Sequence, residues 1–158
     1  MIYKKYKLCE IANIQKVRGV PLDKYRKGNI PYVTGSQSNN GVVSYVNAPL
    51  EDISKGNCIT VDPIKGTAFY QPIDFVGRGF SGASINSLYI NGLSELSALY
   101  ICAAIEKIST KVASYANLFN SKRLANAEIL LPTKKVIVPD WKALNYALKG
   151  VLRGGMLI

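Results

Sequence analysis

The hydrophobic pattern of this chain changes its period once, shortly after residue 90. Up to that point the apolar residues form short runs of strand length, separated by glycine, proline and asparagine, at residues 30–34, 42–46, 58–61, 67–71, 73–76 and 85–90. Beyond it they recur at helical spacing behind Ser94, a residue type favoured at helix N-caps, as far as Ala113. The pattern predicts an α+β fold, in which a twisted, barrel-like, mostly antiparallel sheet packs with one buried helix.

The two ends of the chain carry shorter signals. Residues 6–14 place apolar side chains on one side of a predicted short helix, and residues 127–131 predict a strand that Pro132 closes. Asp140 is a suitable cap for a last helix, which Gly154-Gly155 should end. The apolar stripe of this C-terminal helix consists of Trp141, Leu144, Leu148 and Val151.

The charge balance favours a polyanionic partner. Twenty lysines and arginines stand against ten acidic residues, so the formal net charge is +10. A basic excess of this size points above all to nucleic acid. No apolar run reaches the length of a membrane span, and no signal core follows the basic first residues, so we expect a cytoplasmic protein without membrane contact.

The residue types that carry most enzyme chemistry are scarce. The chain has no histidine, which removes the Ser–His and Cys–His nucleophile designs, and its acidic residues are scattered. Cys9, Cys58 and Cys102 are too far apart for metal-ligand spacing and predict buried free thiols. We therefore expect no catalytic residue, metal or cofactor, although distant side chains that converge in space leave an enzyme open.

A glycine-rich segment, Gly77-Arg78-Gly79-Phe80-Ser81-Gly82, matches the spacing of the dinucleotide-binding fingerprint. That motif holds a pyrophosphate only where it leads from a strand into a helix, whereas residues 85–90 alternate as a strand does. We therefore predict no nucleotide site here. Two interpretations remain: a hairpin loop, or a loop whose glycines let the backbone approach a DNA phosphate with Arg78 as the charged contact.

Two basic groups are candidates for nucleic-acid contact. The denser one lies in an irregular segment with glycine and proline, and consists of Lys16, Arg18, Lys24, Arg26 and Lys27. We predict phosphate contacts for this group, the alternative being a solvated loop. Lys122 and Arg123 follow the aromatic pair Tyr115 and Phe119 in a polar segment and form the second group; the aromatic rings themselves are expected in the core.

A third candidate group is the polar loop between the predicted strands 30–34 and 42–46. Its polar residues are Thr34, Ser36, Gln37, Ser38, Asn39 and Asn40, and all of them except Ser38 are candidate contact residues. Amide side chains can form paired hydrogen bonds with the edge of adenine, and hydroxyls accept or donate at several bases. For Asn39 and Asn40 the alternative is that they only shape the turn before the second strand.

The order of several short segments is characteristic: Ile-Pro-Tyr-Val-Thr-Gly (30–35), Asn-Asn-Gly-Val-Val (39–43), Asn-Cys-Ile-Thr-Val (57–61), Gly-Thr-Ala-Phe-Tyr-Gln (66–71), Asp-Phe-Val (74–76), Leu-Ser-Ala-Leu-Tyr-Ile (96–101), Ser-Tyr (114–115), Glu-Ile-Leu-Leu-Pro (128–132) and Pro-Asp-Trp (139–141). Together they resemble the target-recognition domain of restriction-modification specificity subunits of the Type I and Type IIB kinds. The resemblance covers residues 8–141.

The resemblance implies a non-catalytic domain that reads about half of a split site in double-stranded DNA. An adenine methyltransferase partner would carry S-adenosylmethionine and flip the target adenine, and a restriction subunit would join the assembly. On this basis residues 1–138 form the recognition domain, and 139–158 form a C-terminal helix and tail available to a partner. Specificity subunits normally carry two such domains separated by long helices, so a chain with one is a half-subunit, a fragment or one half of a homodimer.

A second class of function stays open from the sequence. The same charge, with exposed tyrosines that stack on bases, would suit a β-module that binds RNA or single-stranded nucleic acid. Such a module would prefer single strands, whereas a specificity domain requires the duplex.

Overall fold

The computed structural model describes residues 1–79, 84–112, 118–134 and 138–156. Its helices are α1 (Leu8–Ile11), α2 (Glu95–Val112), α3 (Ser121–Asn126) and α4 (Trp141–Met156). Its strands are β1 (Tyr3–Lys7), β2 (Asn13–Lys16), β3 (Arg26–Val33), β4 (Val42–Asn47), β5 (Ile53–Ser54), β6 (Cys58–Val61), β7 (Ala68–Gln71), β8 (Phe75–Gly77), β9 (Asn86–Tyr89), β10 (Glu128–Lys134) and β11 (Val138–Pro139). The α+β class predicted from the sequence is confirmed.

The strands are arranged in three sheets, ordered β1-β10-β11, β2-β9-β6-β7 and β4-β3-β8-β5. Neighbouring strands are antiparallel except β3 and β8, which run parallel. The mostly antiparallel prediction is therefore confirmed, but the described strands form three sheets rather than one closed barrel. Alternation along a strand determines which face is buried and does not determine its neighbour, so the pattern could not separate the two arrangements.

Helix α2 covers the main core. Ala98, Ile101, Cys102 and Ile105 form its buried stripe and pack with apolar residues of β6, β9 and β10. Ser94 caps the helix as predicted, since the Ser97 amide donates to the Ser94 hydroxyl at 3.2 Å. None of the described helices is long and apolar enough to cross a membrane.

The N-terminal prediction is wrong for most of its length. Residues 6–14 contain only one helical turn, α1, between the two strands β1 and β2. Strand β1 pairs along its whole length with β10, and Tyr6 and Leu8 are buried in the main core. Pairing with a strand more than a hundred residues away therefore outweighs the weak helical pattern of this segment.

Pro132 lies inside β10 instead of closing it. Towards β1 the neighbouring Thr133 amide donates to the Ile2 carbonyl at 2.9 Å, so the ladder on that side does not need a donor from Pro132. On the other side the Pro132 carbonyl accepts from the Asp140 amide at 2.7 Å, at the end of β11. Pro132 thus lacks its donor on the side of β11, at the point where the pairing of β10 with β11 stops. Proline is tolerated at such a position.

Helix α4 begins where the sequence predicts, because an Asp140 carboxylate oxygen accepts from the Ala143 amide at 3.0 Å. Leu144 is buried, and Trp141 and Leu148 pack partly against the main core. Val151, the last member of the predicted stripe, is 73% exposed. The helix also continues through Gly154-Gly155 to Met156, so the prediction that these glycines end it is wrong.

The three cysteines are free thiols, but they are not all buried as predicted. Cys58 and Cys102 lie in the interior, whereas Cys9 is exposed at the single turn α1. Burial raises the pKa of Cys58 and of Cys102 to about 12. The two interior thiols are therefore protonated core side chains at neutral pH.

Candidate nucleic-acid interface

The polar loop 35–41 projects from a rigid hairpin. Strands β3 and β4 pair antiparallel, as predicted, and the Thr34 amide donates to the Gly41 carbonyl at 2.9 Å across the base of the loop. Within it, the Ser36 amide donates to the Thr34 hydroxyl at 3.2 Å. Gln37 is exposed, and Thr34 and Ser36 are half-buried. The loop therefore holds hydroxyl and amide groups at the surface of a well-supported strand pair.

Asn39 and Asn40 shape the turn at the end of this loop. Both adopt the left-handed conformation, with φ of 52° and 56°. The side-chain amide of Asn39 donates to the Val42 carbonyl. The side-chain amide of Asn40 donates to the Tyr70 carbonyl at 2.9 Å and to the Gln71 side chain at 3.1 Å. The turn role left open by the sequence is thus present for both residues, and base contact by them stays a prediction.

Arg78 lies beside the foot of this loop, although 44 residues separate it from Thr34. The Arg78 amide donates to the Val33 carbonyl at 2.9 Å, which continues the parallel pairing of β3 with β8. Its side chain is exposed and lines a cleft of about 250 Å³ together with Thr34, Ser36 and Lys65. Three of the predicted contact residues therefore meet at one place.

Lys65 joins this cleft to a second one of about 350 Å³, which Gln37 also lines. The sequence interpretation did not include Lys65. It sits in the turn between β6 and β7, where its amide donates to the Asp62 carboxylate at 2.9 Å. The sequence signal that could have identified Lys65 is its position in a turn between two predicted strands, bounded by Pro63 and Gly66.

Gly77 and Gly79, the glycines of the 77–82 motif that the structure describes, make close contacts within the protein. A Cβ on Gly77 would lie 2.6 Å from the Val17 side chain, and one on Gly79 would lie 2.3 Å from the Val17 carbonyl oxygen. Gly19 donates to Gly77, and Gly79 donates to Gly19, both at 2.9 Å. Before residues 80–83, which lie outside the described part, the chain leaves strand β8, and the next described element is strand β9. Strands on both sides agree with the prediction that this is not a dinucleotide fingerprint.

The sequence predicted one irregular loop for the basic run 16–27, and this prediction is wrong. Lys16 ends β2, Lys24 lies in a 3-10 turn at Leu22–Lys24, and Arg26 and Lys27 begin β3. The two ends of β3 are about 20–25 Å apart at the usual rise per residue, so Arg26 and Lys27 lie far from Thr34. The run is therefore divided between two regions of the surface.

Lys16 and Arg18 line a separate cleft of about 330 Å³ with Lys55, which the sequence interpretation also missed. Lys55 forms an exposed ion pair with Asp74 at 3.3 Å. The Gly56 amide, together with Lys55, holds the pKa of Asp74 below its ordinary value. Three cations around one cleft suit a chain of phosphates, which needs point charges and little shape.

A partly buried hydrogen-bond network holds the segment between β2 and β3. The Tyr32 hydroxyl donates to the Val20 carbonyl at 2.7 Å, and the Val20 amide donates to the Tyr25 hydroxyl at 2.8 Å. Tyr25 in turn donates to the Asp52 carboxylate at 2.7 Å. Burial and this bond to Asp52 raise the pKa of Tyr25 to about 12. The network fixes the backbone that presents Arg18 and Lys24.

Lys122 and Arg123 lie on the short helix α3. Asn120 caps this helix by accepting from the Arg123 amide at 3.0 Å. Leu124, on the inner side of the helix, is buried in the main core. Phe119 is 1% exposed, as predicted for the core, while Tyr115 lies outside the described residues. A Cβ on Gly66 would lie 3.4 Å from the Phe119 ring, so the start of α3 lies near the turn that carries Lys65.

Within the described residues, no group of three or more Cys, Asp and Glu side chains is arranged to hold a metal ion. The two clefts at the polar loop bring hydroxyl, amide and cationic side chains together, with Asp62 and Glu106 also among their lining residues. Hydroxyls, amides and cations are the groups that contact base edges and phosphates.

Comparison with known proteins identifies the family. The model of the Type I restriction modification DNA specificity domain matches residues 3–149. The specificity subunit S.BcgI of a Type II restriction enzyme from Heyndrickxia coagulans is 28% identical over 146 residues, which cover 89% of this chain and 40% of that protein. This chain therefore spans well under half the length of that relative.

Solved structures show the same fold. The HsdS subunit from Thermoanaerobacter tengcongensis superposes with a TM-score of 0.65 at 16% identity, over 96% of this chain and 38% of that chain. A Type I restriction-modification S subunit from M. genitalium superposes with a TM-score of 0.64 at 15% identity, over 93% and 37% of the two chains. With its family model covering nearly the whole sequence, the chain belongs to the Type I restriction modification DNA specificity domain family.

Proposed function

We propose that this domain reads a short sequence in double-stranded DNA on behalf of a restriction-modification assembly, and that it carries out no covalent chemistry. The observation that carries the proposal is the meeting of Thr34, Ser36 and Arg78 with Lys65 at one cleft, with Gln37 on the adjoining one. Hydroxyl, amide and guanidinium groups are the side chains that distinguish bases in the major groove. They lie on a chain whose net charge of +10 favours the DNA backbone.

The proposed contacts divide into two kinds. Base reading falls to the polar loop, to Arg78 and to Arg123: amides pair with adenine N6 and N7, and arginines pair with guanine O6 and N7. Thr34, Ser36, Gln37 and Asn39 are the loop members in this proposal, together with Asn40, which can offer a base only its side-chain oxygen because its side-chain amide donates to Tyr70 and Gln71. Phosphate contact falls to the cations Lys16, Arg18, Lys24, Arg26, Lys27 and Lys122, to which the clefts add Lys55 and Lys65.

We further propose that an adenine methyltransferase subunit and a restriction subunit act at the DNA sequence that this domain selects. We place this assembly in the cytoplasm. Support comes from S.BcgI, which is the specificity subunit of a restriction enzyme. The exposed end of α4 offers a surface for a second copy of this chain, which would bring two such domains into one assembly. Val151 and Leu152 are 73% and 56% exposed, and they continue the face that Leu144 and Leu148 bury against the domain.

The described tyrosines disfavour the single-strand alternative. Tyr3, Tyr45 and Tyr146 are the exposed ones among them, and they lie on β1, β4 and α4. Stacking of successive bases requires aromatic rings in a row along one groove. Tyr3 and Tyr45 lie in two different sheets and Tyr146 lies on a helix, an arrangement that does not favour one continuous row of rings.

Competition binding separates the two functions. A labelled random-sequence duplex is bound by the 158-residue chain and displaced by unlabelled duplex DNA, single-stranded DNA or single-stranded RNA of the same length. We expect the duplex to compete best and the affinity to fall steeply with salt, because phosphate contacts release counterions. Stronger competition by either single strand would contradict duplex recognition.

A further inference from the structure

A third cleft adjoins the proposed reading surface and differs from it in chemistry. It measures about 480 Å³ and lies between the 3-10 turn at Leu22–Lys24 and strand β4. Pro21, Leu22 and Val43 give it an apolar wall, and Thr34 and Arg78 lie along it as well. Leu22 is 37% exposed and Val43 is 49% exposed, so the apolar wall faces solvent.

The cleft is preformed. Tyr32, only 1% exposed, lines it, and its hydroxyl holds the Val20 carbonyl next to Pro21. On the opposite side, Val43 belongs to β4, which pairs with β3. Both walls are therefore fixed by hydrogen bonds to the same strand, and a ligand group can enter without reordering the chain.

The charged groups along the cleft indicate what kind of DNA surface it meets. Asp23 lines it together with Arg78. A carboxylate repels phosphates but accepts hydrogen bonds from the exocyclic amino groups of bases, so this cleft suits base edges better than the backbone. Among base-edge groups in the major groove, the C5-methyl of thymine is the apolar one.

We propose that the cleft formed by Pro21, Leu22 and Val43 receives the C5-methyl group of a thymine, next to the base pair that Arg78 contacts. The inference rests on the proposed reading of duplex DNA and names one base-specific part of it. In the described part of the chain the Arg78 side chain makes no hydrogen bond or ion pair, so its donors are available to the neighbouring base.

The test uses a change in the DNA that removes only the methyl group. The preferred duplex is first selected with the wild-type chain, and each thymine in it is then replaced by deoxyuridine, one at a time. We expect one replacement to weaken binding about fourfold, as for the loss of one buried methylene-sized group. With Val43→Ala or Leu22→Ala, thymine and deoxyuridine at that position should bind nearly equally. Leu50→Ala serves as the control, because Leu50 is 80% exposed and lies outside the cleft.

The outcomes separate this inference from the function on which it rests. Failure to select any preferred duplex would overturn the proposed function. A preferred duplex without thymine, or one in which no deoxyuridine replacement weakens binding, would overturn the thymine cleft alone. An unchanged preference for thymine over deoxyuridine in both cleft variants would likewise move the methyl contact elsewhere. Thermal melting of each variant checks that it folds.

Discussion

Individual side chains of the polar loop have different duties. The side-chain amide of Asn40 donates both of its hydrogens within the domain, to the Tyr70 carbonyl and to the Gln71 side chain. Gln37, by contrast, is exposed and lines an open cleft. Neighbours in sequence therefore separate into one residue that builds the loop and one that is available to DNA.

Replacing Asn40 tests this division. Asn40→Ala loses two hydrogen bonds and forces alanine into a left-handed conformation, so we expect the free energy of unfolding to fall by about 1–3 kcal/mol. Asn40→Gly keeps the backbone conformation and should lose less. Gln37→Ala is the matched control and should unfold like wild type. Denaturant titration measures all three, and equal stability of Asn40→Ala and Gln37→Ala would contradict the turn role.

The interior thiols predict a loss of stability in alkali. Burial raises the pKa of Cys58 from 9.0 to about 12, so the unfolded chain releases this proton at lower pH than the folded chain does. The contribution of the Cys58 thiol to the free energy of unfolding is fully present below about pH 9 and declines as the pH rises towards 12. We expect Cys58→Ala to show a shallower decline between pH 9 and 10. Cys9→Ala, whose thiol is already exposed, should decline as steeply as wild type; identical slopes in all three proteins would contradict the assignment.

Strands and helices differ in how much of them the sequence could predict. Strand β6 has the predicted bounds, because a short apolar run between asparagine and proline leaves little choice. Helix α2 begins after Ser94 as predicted, since the cap is local. Strand β1 was missed because its partner β10 is distant in sequence. Local signals predict an element, and long-range pairing decides those whose local signal is weak.

The segment between β2 and β3 gives a prediction about salt. Lys16 and Arg18 share a cleft with Lys55, whereas Arg26 lies at the far end of β3 from Thr34. Each phosphate contact adds about 0.9 to the slope of log affinity against log salt concentration. We expect the pair Lys16→Ala and Arg18→Ala, and the pair Lys24→Ala and Arg26→Ala, each to lower that slope while the preferred sequence stays the same. Duplex binding over a salt series measures it; a pair that leaves the slope unchanged lies outside the interface.

The whole surface was less predictable than its parts. Thr34 and Arg78 were both candidates from the sequence, but only the parallel pairing of β3 with β8 places them together. Lys55 and Lys65 were missed because a lone cation in a turn has no periodic pattern to distinguish it. The sequence thus predicted several of the proposed contact residues, while their grouping required three-dimensional contacts.

The exposed end of α4 predicts self-association. Val151 and Leu152 extend the buried stripe of this helix beyond the domain, and we expect them to join two copies across a two-fold axis. Light scattering should then give twice the chain mass of 17.3 kDa, and the double change Val151→Lys and Leu152→Lys should give the monomer. Tyr146→Lys, on the opposite face of α4, should still dimerise. A wild-type monomer would contradict this prediction.

Selection from random duplexes tests whether this domain reads DNA sequence through the surface around Arg78. Wild type should recover a defined motif. Arg78→Ala and Gln37→Ala should each lose discrimination at one position, by about 1–3 kcal/mol, and keep the rest of the motif. Lys149→Ala, an exposed cation on α4, should recover the wild-type motif. If wild type selects no motif, or if Arg78→Ala and Gln37→Ala recover the wild-type motif with equal stringency, the bases are not read by this surface.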